Sequence, residues 1–528
     1  MKEQKIFPQN ILSYPDFISI GLEKQIIEST QNNSPIMKND VSLSFELTDE
    51  NLDVFITAKE TPLNFIKLKW NRPIPENAKV YGDTWERGYG DLEWTDISKR
   101  QEKDAFMPWY FFLNAGNKTT GIGVMVRPAA LCYWKIDKTS ITLYADIQNG
   151  GKPVHLNGRT IKIASIVTRQ YTDCSSFEAC QEFCKLMCKD PIFPKEPVYG
   201  SNIWYYAYGD SSEEEILNDT DYIIELTKGI KNRPYMVVDD CWQEHHRLDE
   251  YNGGPWTKGN AKFPSMKKLA EEIEKRGAKP GIWFRPLLNE STMIPNSWRL
   301  SFNDCLDPSR PEVLRYVKAD ITRICEWGYR LIKHDFSTFD ITGNWGFQML
   351  PLMCKPEVEF YDKTKTTAEI ITNFYAAIYE AAKPFDAIIL GCNTIGHIGA
   401  GLMQMNRVGD DTSGKDWAIT RKMGVNTLAF RLMQHRTFYD IDADCVGILG
   451  PISWKYNKQW TELLANSGSP LFISAKPGVM TEEEKKEMHD YLEISSKQKV
   501  RVTPLDWMEN FRPTIWSNQE KEYYYNWN

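Results

Sequence analysis

Three short acidic segments of this sequence each end an apolar run that is typical of a buried β-strand. The segments span residues 239–242, 333–335 and 407–411. In a barrel of parallel strands, side chains at the carboxyl ends of successive strands converge on one mouth, where such proteins do their chemistry. Gathering several carboxylates in one buried place costs free energy unless they are used. The sequence therefore predicts a barrel enzyme with a carboxylate site at this mouth.

The composition of the chain limits the classes of partner that it can have. It has 528 residues, a net charge of −8 and no basic stripe, which argues against nucleic acids and anionic membrane surfaces. No segment approaches the roughly 18 apolar residues of a membrane span, and the N-terminus has no apolar signal core. The 11 cysteines follow no disulfide framework, which suits reduced thiols. We expect a cytoplasmic protein without nucleic-acid or membrane partners, and a homo-oligomer is left open.

Residues from about 40 to 172 contain short runs in which apolar and polar residues alternate. Examples are 54–57, 123–126 and 140–144. This pattern is typical of a β-sandwich. A helical segment at 176–188 and a proline-rich stretch at 191–197 follow, and together they predict that the first domain ends near residue 190.

From residue 200 the pattern changes to apolar runs that alternate with amphipathic segments. The apolar runs predict eight strands, at 202–206, 234–238, 280–284, 329–333, 387–390, 403–407, 436–439 and 470–474. Helical patterns lie between them, as at 266–275 and 312–327. Eight alternating strand–helix units predict an α/β fold with a closed (β/α)8 TIM barrel. The expected domains are an antiparallel β-sandwich at 1–190, the barrel at 191–495 and a short C-terminal β segment at 496–528.

Asp335 is the first candidate catalytic residue because it follows a predicted buried strand. Lys333 lies two positions earlier, so both side chains point to the same side of the strand, toward the barrel mouth. A lysine beside a carboxylate favours the ionised form, which a nucleophile needs. The alternative interpretation of the pair is a structural salt bridge at a strand end.

Asp410 and Asp411, at the end of the sixth predicted strand, are the two candidates for a single residue that acts first as acid and then as base. Cleavage of a glycosidic bond with retention of configuration needs a second carboxyl group about 5–5.5 Å from the nucleophile. Adjacent acids raise the pKa of one of them by repulsion, and Arg407 offsets part of their charge. The alternative is a helix N-cap, a role that Asp416 fits better.

Asp239 and Asp240 are candidate substrate-binding residues, because paired carboxylates can accept hydrogen bonds from neighbouring hydroxyl groups of a sugar. A metal site is the alternative for this part of the mouth. Its ligands would be Asp239, His245, His246, His334 and Asp335. The seven histidines are spread thinly and no His-x-His pair follows the first strand, so we expect neither a metal nor another cofactor.

Five segments resemble, in the same order, those of the melibiase-type α-galactosidases, glycoside hydrolase families 27 and 36. Segment 238–243 is similar to their aspartate pair, 332–335 to their Lys-x-Asp nucleophile segment, and 407–411 to their acid/base segment. Segments 279–283 and 464–470 are similar to their third and eighth barrel strands. The Arg-x-x-Asp-Asp pattern at 407–411 most resembles the raffinose-synthase branch.

The resemblance implies a retaining exo-α-glycosidase, most similar to an α-galactosidase, with an oligosaccharide or other glycoside as its substrate. It makes Asp335 the nucleophile and Asp410 the acid/base, with Asp411 as the alternative because the register within the pair is ambiguous. Further residues would contact the sugar: Asp239 and Asp240 at the C4 and C6 hydroxyls, Lys333 at C3–C4, Arg407 at the C2 hydroxyl, and Trp242 as part of the pocket wall.

Three departures from the family pattern leave the sugar and the leaving group open. Cys392 and Asn393 lie where the family contacts the C2 substituent, and we expect them to bind substrate, but the match is partial. His334 replaces a frequent aromatic residue, and Arg285 a frequent carboxylate. The alternatives are therefore N-acetylgalactosamine or arabinopyranose as the sugar, transfer to a sugar acceptor, and a non-catalytic sugar-binding protein.

Segment 85–91 of the predicted sandwich is dense in polar and aromatic residues. It fits a loop that reaches over the barrel mouth and caps the site. It fits equally well an ordinary turn at the interface between two domains.

Overall fold

The computed structural model describes residues 13–30, 36–100, 106–247, 251–497 and 501–528. Within them the chain forms two antiparallel sheets, one parallel sheet and a small three-stranded sheet near the end. No helix in these ranges is both long and apolar enough to cross a membrane. The domain limits at residues 190 and 495 stay a prediction, and residues 1–12 lie outside the described ranges.

The two antiparallel sheets come from the first part of the chain and form the predicted β-sandwich. One sheet has the order Ile26–Ser29, Phe17–Leu22, Leu63–Asn71, Ser140–Asp146, Leu131–Ile136, Met107–Pro108. The other has the order Ile36–Lys38, Val41–Leu47, Leu52–Ala58, Thr160–Tyr171, Lys118–Val124, Tyr110–Ala115, Lys79–Gly82, Thr95–Asp96. The helix Ser176–Met187 follows them and begins with a capping box between Ser175 and Glu178.

The alternating sequence pattern has the structural effect that it predicts. Along Leu52–Ala58 every second side chain is buried, and the side chains between them are half-buried. Each strand therefore gives one face to the core of the sandwich. The predicted runs 54–57 and 140–144 lie inside strands, whereas 123–126 overlaps only the end of Lys118–Val124.

The parallel sheet forms the barrel. Its eight positions are Tyr199–Asn202, Tyr235–Val238, Lys279–Phe284, Leu331–His334, Ile388–Gly391, Met405–Arg407, the split strand Asp440–Asp442 with Cys445–Ile448, and Leu471–Ala475. Asp440–Asp442 pairs with the sixth strand and Cys445–Ile448 with the eighth. Only two residues separate these two pieces, so one interrupted seventh strand closes the ring.

Helices cover the outside of the barrel between its strands. The longer ones are Glu213–Leu226, Met266–Lys275, Pro311–Glu326, Thr367–Ala382, Trp454–Ser467 and Glu482–Ser495. Short helical pieces are Trp204–Ala207, Ser337–Thr342, Gly396–Gly399, Trp417–Ile419 and Thr427–Arg431, with a π-helical turn at Thr420–Asn426. In Met266–Lys275 the buried side chains recur every three to four residues, the spacing that places an apolar stripe on the sheet.

Two predicted barrel strands are wrong in position. The first strand ends at Asn202 instead of Tyr206, because the Asn202 side chain accepts a hydrogen bond of 2.8 Å from the Trp204 amide and starts a helical turn. The seventh strand begins at Asp440 and not at Arg436, whose backbone has φ 58° in a turn. Its buried acidic side chains hid this strand from a search for apolar runs.

The end of the chain forms the expected small β segment. Its strands are Thr503–Pro504, Ile515–Ser517 and Glu522–Tyr524. The segment contacts the barrel, since the indole of Trp417 donates a hydrogen bond of 3.2 Å to the Trp527 carbonyl oxygen.

The sandwich shares a buried aromatic interface with the barrel and with the C-terminal segment. The ring of Tyr81 contacts those of Phe430 and Trp507 at centroid distances of 5.4 and 6.0 Å. Its hydroxyl donates a hydrogen bond of 2.7 Å to the carbonyl oxygen of Phe430. One residue of the sandwich thus satisfies a buried backbone group of the barrel.

We expect Tyr81→Phe to lower the free energy of unfolding by about 1–3 kcal/mol, because it leaves a buried carbonyl without this donor. The measurement is the midpoint of urea unfolding. Tyr361→Phe, at an exposed tyrosine, is the matched control and should leave the midpoint unchanged. Equal midpoints for the two variants would show that the Tyr81 hydroxyl contributes nothing to the interface.

Candidate active site

A recessed cavity of about 170 Å³ opens at the carboxyl ends of the barrel strands. Of the residues predicted to form a site, those that line it are Asp239, Asp240, Lys333, Asp335 and Asp411. They come from the ends of the second, fourth and sixth strands. The barrel therefore brings together side chains that are far apart in sequence, as expected for this mouth.

Asp335 follows directly on the fourth strand, and each of its carboxylate oxygens has a donor. The Trp283 indole donates to Oδ2 at 3.0 Å, and the Phe336 amide donates to Oδ1 at 2.7 Å. Phe336 has φ 64°, a left-handed conformation that costs free energy in a non-glycine residue and turns its amide toward the carboxylate. Burial alone would raise the pKa of Asp335, but Lys333, Arg87 and the two donors outweigh it and lower the pKa. The group is ionised at neutral pH.

Lys333 forms its closest contact with Asp239 and not with Asp335. Its Nζ lies 2.8 Å from Asp239 Oδ2, which also accepts a hydrogen bond of 2.5 Å from the Asn202 side chain. Burial would lower the pKa of Lys333, but Asp239 and further acidic groups raise it well above its usual value. The lysine is therefore charged and connects the second strand to the fourth.

Asp240 faces the cavity beside Asp239 and has a different set of partners. Its Oδ1 accepts a hydrogen bond of 2.7 Å from Gln243 and lies 3.4 Å from His246 Nδ1. Burial raises the pKa of Asp240, and His246 and Gln243 oppose the shift. The next residue, Cys241, has φ 148° and turns the chain away from the mouth.

This turn places Trp242 behind the cavity wall. Its indole donates a hydrogen bond of 2.9 Å to the Trp283 carbonyl oxygen, and its ring packs on Trp256 and Trp327. Trp242 does not line the cavity. The aromatic wall is formed by Trp204, Trp283, Phe336 and Trp345.

The two candidate acid/base residues differ in position. The side chain of Asp411 lines the cavity and is 53% exposed, whereas that of Asp410 is 28% exposed and lies outside the lining. Arg407 Nη2 holds Asp411 Oδ1 at 3.0 Å and Asp444 Oδ2 at 2.5 Å. Desolvation in the recess raises the pKa of Asp411, Arg407 opposes it and Asp444 adds to it, so that the net shift is upward.

Asp444 is an acidic residue that sequence analysis missed. It lies in the two-residue interruption of the seventh strand with φ 72°, and it accepts hydrogen bonds from the Tyr205 hydroxyl and, at 2.7 Å, from the Thr412 amide. Burial would raise the pKa of Asp444, but Arg407 and these donors lower it. The acids at 440, 442 and 444 lie at a strand end, as the acids of the three predicted segments do. This clustering of acids in the sequence could have revealed Asp444 as a site residue.

Cys392 and Asn393 are buried beside the cavity and do not line it. Arg407 Nη1 donates to the Cys392 sulfur at 3.8 Å, and the Asn393 side chain donates to Glu86 Oε2 at 2.6 Å. Their side chains are thus occupied by protein partners, and substrate contact by either stays a prediction.

The segment at 85–91 enters the barrel mouth. Gly88 forms a parallel bridge with Gly409, and the Arg87 guanidinium lines the cavity. Its Nη2 lies 3.0 Å from Asp410 Oδ1. Of the two interpretations of this segment, the loop over the site is the one that agrees with these contacts.

Arg285, noted as a departure from the family pattern, forms a buried ion pair beside segment 332–335. Its guanidinium contacts Asp340 at 2.6 and 3.0 Å and donates a further hydrogen bond to Asn252, a residue of the cavity lining. It also stacks on the Phe336 ring at 4.0 Å. No sequence signal pointed to Asn252 or Trp345, because both lie in long loops.

The histidines of the alternative metal site have other partners. His245 lies 2.8 Å from Glu290, and His334 is buried against Ser337. Burial lowers the pKa of His334 to about 3, so its ring is neutral. Among the residues that the structure describes, no group of three or more His, Cys, Asp or Glu side chains is placed to hold a metal ion.

We expect Arg285→Met to lower the free energy of unfolding by about 3–5 kcal/mol, because it leaves the buried Asp340 carboxylate without its cation. Urea unfolding measures the effect. The matched control is Arg315→Met, which breaks an exposed ion pair of 3.6 Å with Glu312 and should cost less than about 1 kcal/mol. A loss no larger than that of the control would contradict the structural role of Arg285.

No protein-family model matches this chain. The α-galactosidase of rice, Oryza sativa subsp. japonica, is 26% identical over 188 residues, which cover 29% of this chain and 44% of the rice protein. The chain thus spans less than half the length of this curated relative.

Solved structures extend the comparison to the whole fold. The α-galactosidase TtGalA from Thermus thermophilus, in complex with p-nitrophenyl α-D-galactopyranoside, has a TM-score of 0.61 at 16% identity and covers 93% of this chain and 99% of its own. The galactosidase domain of the α-galactosidase-sucrose kinase AgaSK has a TM-score of 0.59 at 14% identity, with 90% and 69% covered. At such low sequence identity the likeness to these structures shows the fold alone. It confirms the predicted TIM barrel with flanking β-domains. The chain is therefore similar in sequence to a plant α-galactosidase and in fold to two further α-galactosidases, as the sequence motifs predict.

Proposed function

We propose that this protein is a retaining exo-α-glycosidase that releases terminal α-linked galactose from oligosaccharides or other glycosides. The observation that carries the proposal is that Asp335 and Asp411 line one small cavity with opposite pKa shifts. A retaining glycosidase needs one carboxyl group that stays ionised and one that holds a proton. The sequence likeness to a plant α-galactosidase supports galactose as the sugar.

In the proposed mechanism the Asp335 carboxylate attacks the anomeric carbon from the β face. The bond to the leaving oxygen breaks, and Asp411 gives its proton to that oxygen. The product of this step is a β-glycosyl ester of Asp335. Asp411, now ionised, takes a proton from water, and the water oxygen displaces Asp335 to restore the α configuration. Atoms and charge balance without a cofactor.

The cavity size supports action at the end of a sugar chain. Its volume of about 170 Å³ is below the roughly 300–1,000 Å³ of pockets that enclose drug-sized ligands. One sugar ring fits such a recess better than a chain does. Asp239, Asp240 and Lys333 supply acceptors and a donor for its hydroxyl groups.

The cellular location of the protein is part of the same proposal. All 11 cysteines, each within the described ranges, are free, which supports a reducing compartment such as the cytoplasm.

Transfer of the sugar to a sugar acceptor would use the same two carboxylates, with a hydroxyl group of the acceptor in place of water. Product analysis in the presence of excess galactose or sucrose separates transfer from hydrolysis.

We expect Asp335→Gly to lower kcat on a nitrophenyl α-galactoside by about 10⁴-fold or more, the scale on which an enzyme responds to loss of its nucleophile. Added azide can then attack the anomeric carbon from the β face, through the space left by the Asp335 side chain, and should yield a β-galactosyl azide. Asp416→Asn is the control, because Asp416 only caps a helix through an acceptor that asparagine keeps. Normal turnover in Asp335→Gly would refute the proposed nucleophile.

We expect Asp411→Ala to lower kcat on an unactivated oligosaccharide such as stachyose by about 10²–10⁴-fold, because the leaving oxygen loses its proton donor. A nitrophenyl leaving group needs little protonation, so its release should fall less. Azide should accelerate turnover and yield an α-galactosyl azide. Asp410→Ala is the comparison, and azide rescue in that variant instead would transfer the acid/base role to Asp410.

A further inference from the structure

A loop of the sandwich is bonded into the barrel through its backbone. The Gly88 amide donates to the Val408 carbonyl oxygen at 2.8 Å, and the Asp410 amide donates back to the Gly88 carbonyl oxygen at 2.9 Å. Gly90 has φ 77°, and a Cβ there would lie 2.4 Å from the Lys422 carbonyl oxygen. The close approach of this loop therefore depends on glycine at residue 90.

Glu86 fixes the loop from the other side. It is fully buried, and its carboxylate accepts hydrogen bonds from the Gly346 amide at 3.0 Å, the Tyr89 hydroxyl at 2.5 Å and the Asn393 side chain at 2.6 Å. Arg431 donates to its backbone carbonyl oxygen. Barrel segments on three sides thus hold the residue that precedes Arg87.

The guanidinium of Arg87 reaches the cavity from this anchored loop. Nη2 lies 3.0 Å from Asp410 Oδ1 and Nη1 lies 3.9 Å from Asp411 Oδ1. Its side chain is only 10% exposed, and the guanidinium carbon lies 5.6 Å from the ring centroid of Trp345. Its Nε–H finds no hydrogen-bond acceptor among the described residues. The Arg87 guanidinium is thus buried between the cavity acids and the Glu86 carboxylate, whose Oε1 lies 3.9 Å from Nε.

We propose that Arg87 is a positioning residue of the barrel's active site, supplied by the sandwich, which holds the acid segment in place and sets the charge around both reacting carboxylates. The inference rests on the proposed function. It assigns Asp410 to the fixation of Arg87, and it explains why an ionisable residue stands next to the proton donor.

The groups around the three side chains determine the direction of the pH effect. Arg87 faces Glu86, Tyr89, Asp335, Cys392, Asp410 and Asp411. Asp335 faces Lys333, Arg87, His334, Cys392, Asp340 and Arg285. Asp411 faces Arg407, Asp444, Arg87, Lys333, Tyr205 and Tyr208.

Loss of the Arg87 charge should raise the pKa of both carboxyl groups, because a nearby cation favours the ionised form of each. Asp335 must be ionised, so activity is lost as the pH falls through its pKa. Asp411 must be protonated, so activity is lost as the pH rises through its pKa. Both limbs of the bell-shaped profile should therefore move to higher pH. A purely structural defect would lower the activity at every pH without shifting the two limbs of the profile.

The test is the pH dependence of kcat/KM for a nitrophenyl α-galactoside, which reports the free enzyme. We expect Arg87→Met to move both limbs upward, and the Asp411 limb by about one pH unit, the scale of a unit charge at 3.9 Å in a partly solvated site. Arg87→Lys keeps the charge but loses the planar guanidinium that reaches Asp410 at 3.0 Å, so its limbs should stay in place while kcat falls at least about tenfold. Arg127→Met is the control, since Arg127 forms an ion pair of 2.6 Å with the exposed Asp190, and its profile should match that of the wild type.

The outcomes separate the two proposals. A wild-type protein without activity on any α-galactoside would refute the proposed function. An active wild type with an unshifted profile in Arg87→Met would refute the role of Arg87 alone. If Arg87→Met does not fold, the Arg87→Lys variant is the test. A kcat equal to that of the wild type, or a shift of either limb of its pH profile, would overturn the inference.

Discussion

The pairing of carboxylates with buried cations makes the arrangement at this barrel mouth stable. A buried charge without a partner costs several kcal/mol, and a cluster of acids multiplies this cost. Lys333 lies against Asp239, Arg87 against Asp410, and Arg407 between two acids. The strands can therefore end in carboxylates because each cation is itself fixed by a strand end or a bonded loop.

The distribution of these cations also separates the properties of the two acids that line the cavity. Asp335 has two cations nearby and two hydrogen-bond donors, and its pKa is lowered. Desolvation raises the pKa of Asp411, and Asp444, which shares its arginine, adds to this shift. Similar side chains in one cavity thus acquire different proton affinities from their neighbours, which is the division of labour that a two-carboxylate mechanism needs.

Much of the barrel could be predicted from sequence, because strands such as Tyr235–Val238 and Lys279–Phe284 are short apolar runs with clear ends. The seventh strand was misplaced, since its core-facing side chains are acids that only the folded cluster neutralises. The sequence favoured Asp410 over Asp411 as the acid/base only through the family resemblance, since the register within this pair cannot be read from the local pattern. The strand stops at Arg407, and the course of the following loop depends on a bridge to Gly88, more than 300 positions away. Local pattern carries no information about such a contact.

The two donors on Asp335 have opposite effects on the two halves of the proposed reaction. Hydrogen bonds from the Trp283 indole and the Phe336 amide withdraw electron density from the carboxylate, which weakens it as an attacking group. The same bonds stabilise the charge that returns to the carboxylate when water displaces it from the sugar. In the proposed mechanism the left-handed turn at Phe336 thus slows formation of the ester and speeds its breakdown, which disfavours accumulation of the covalent intermediate.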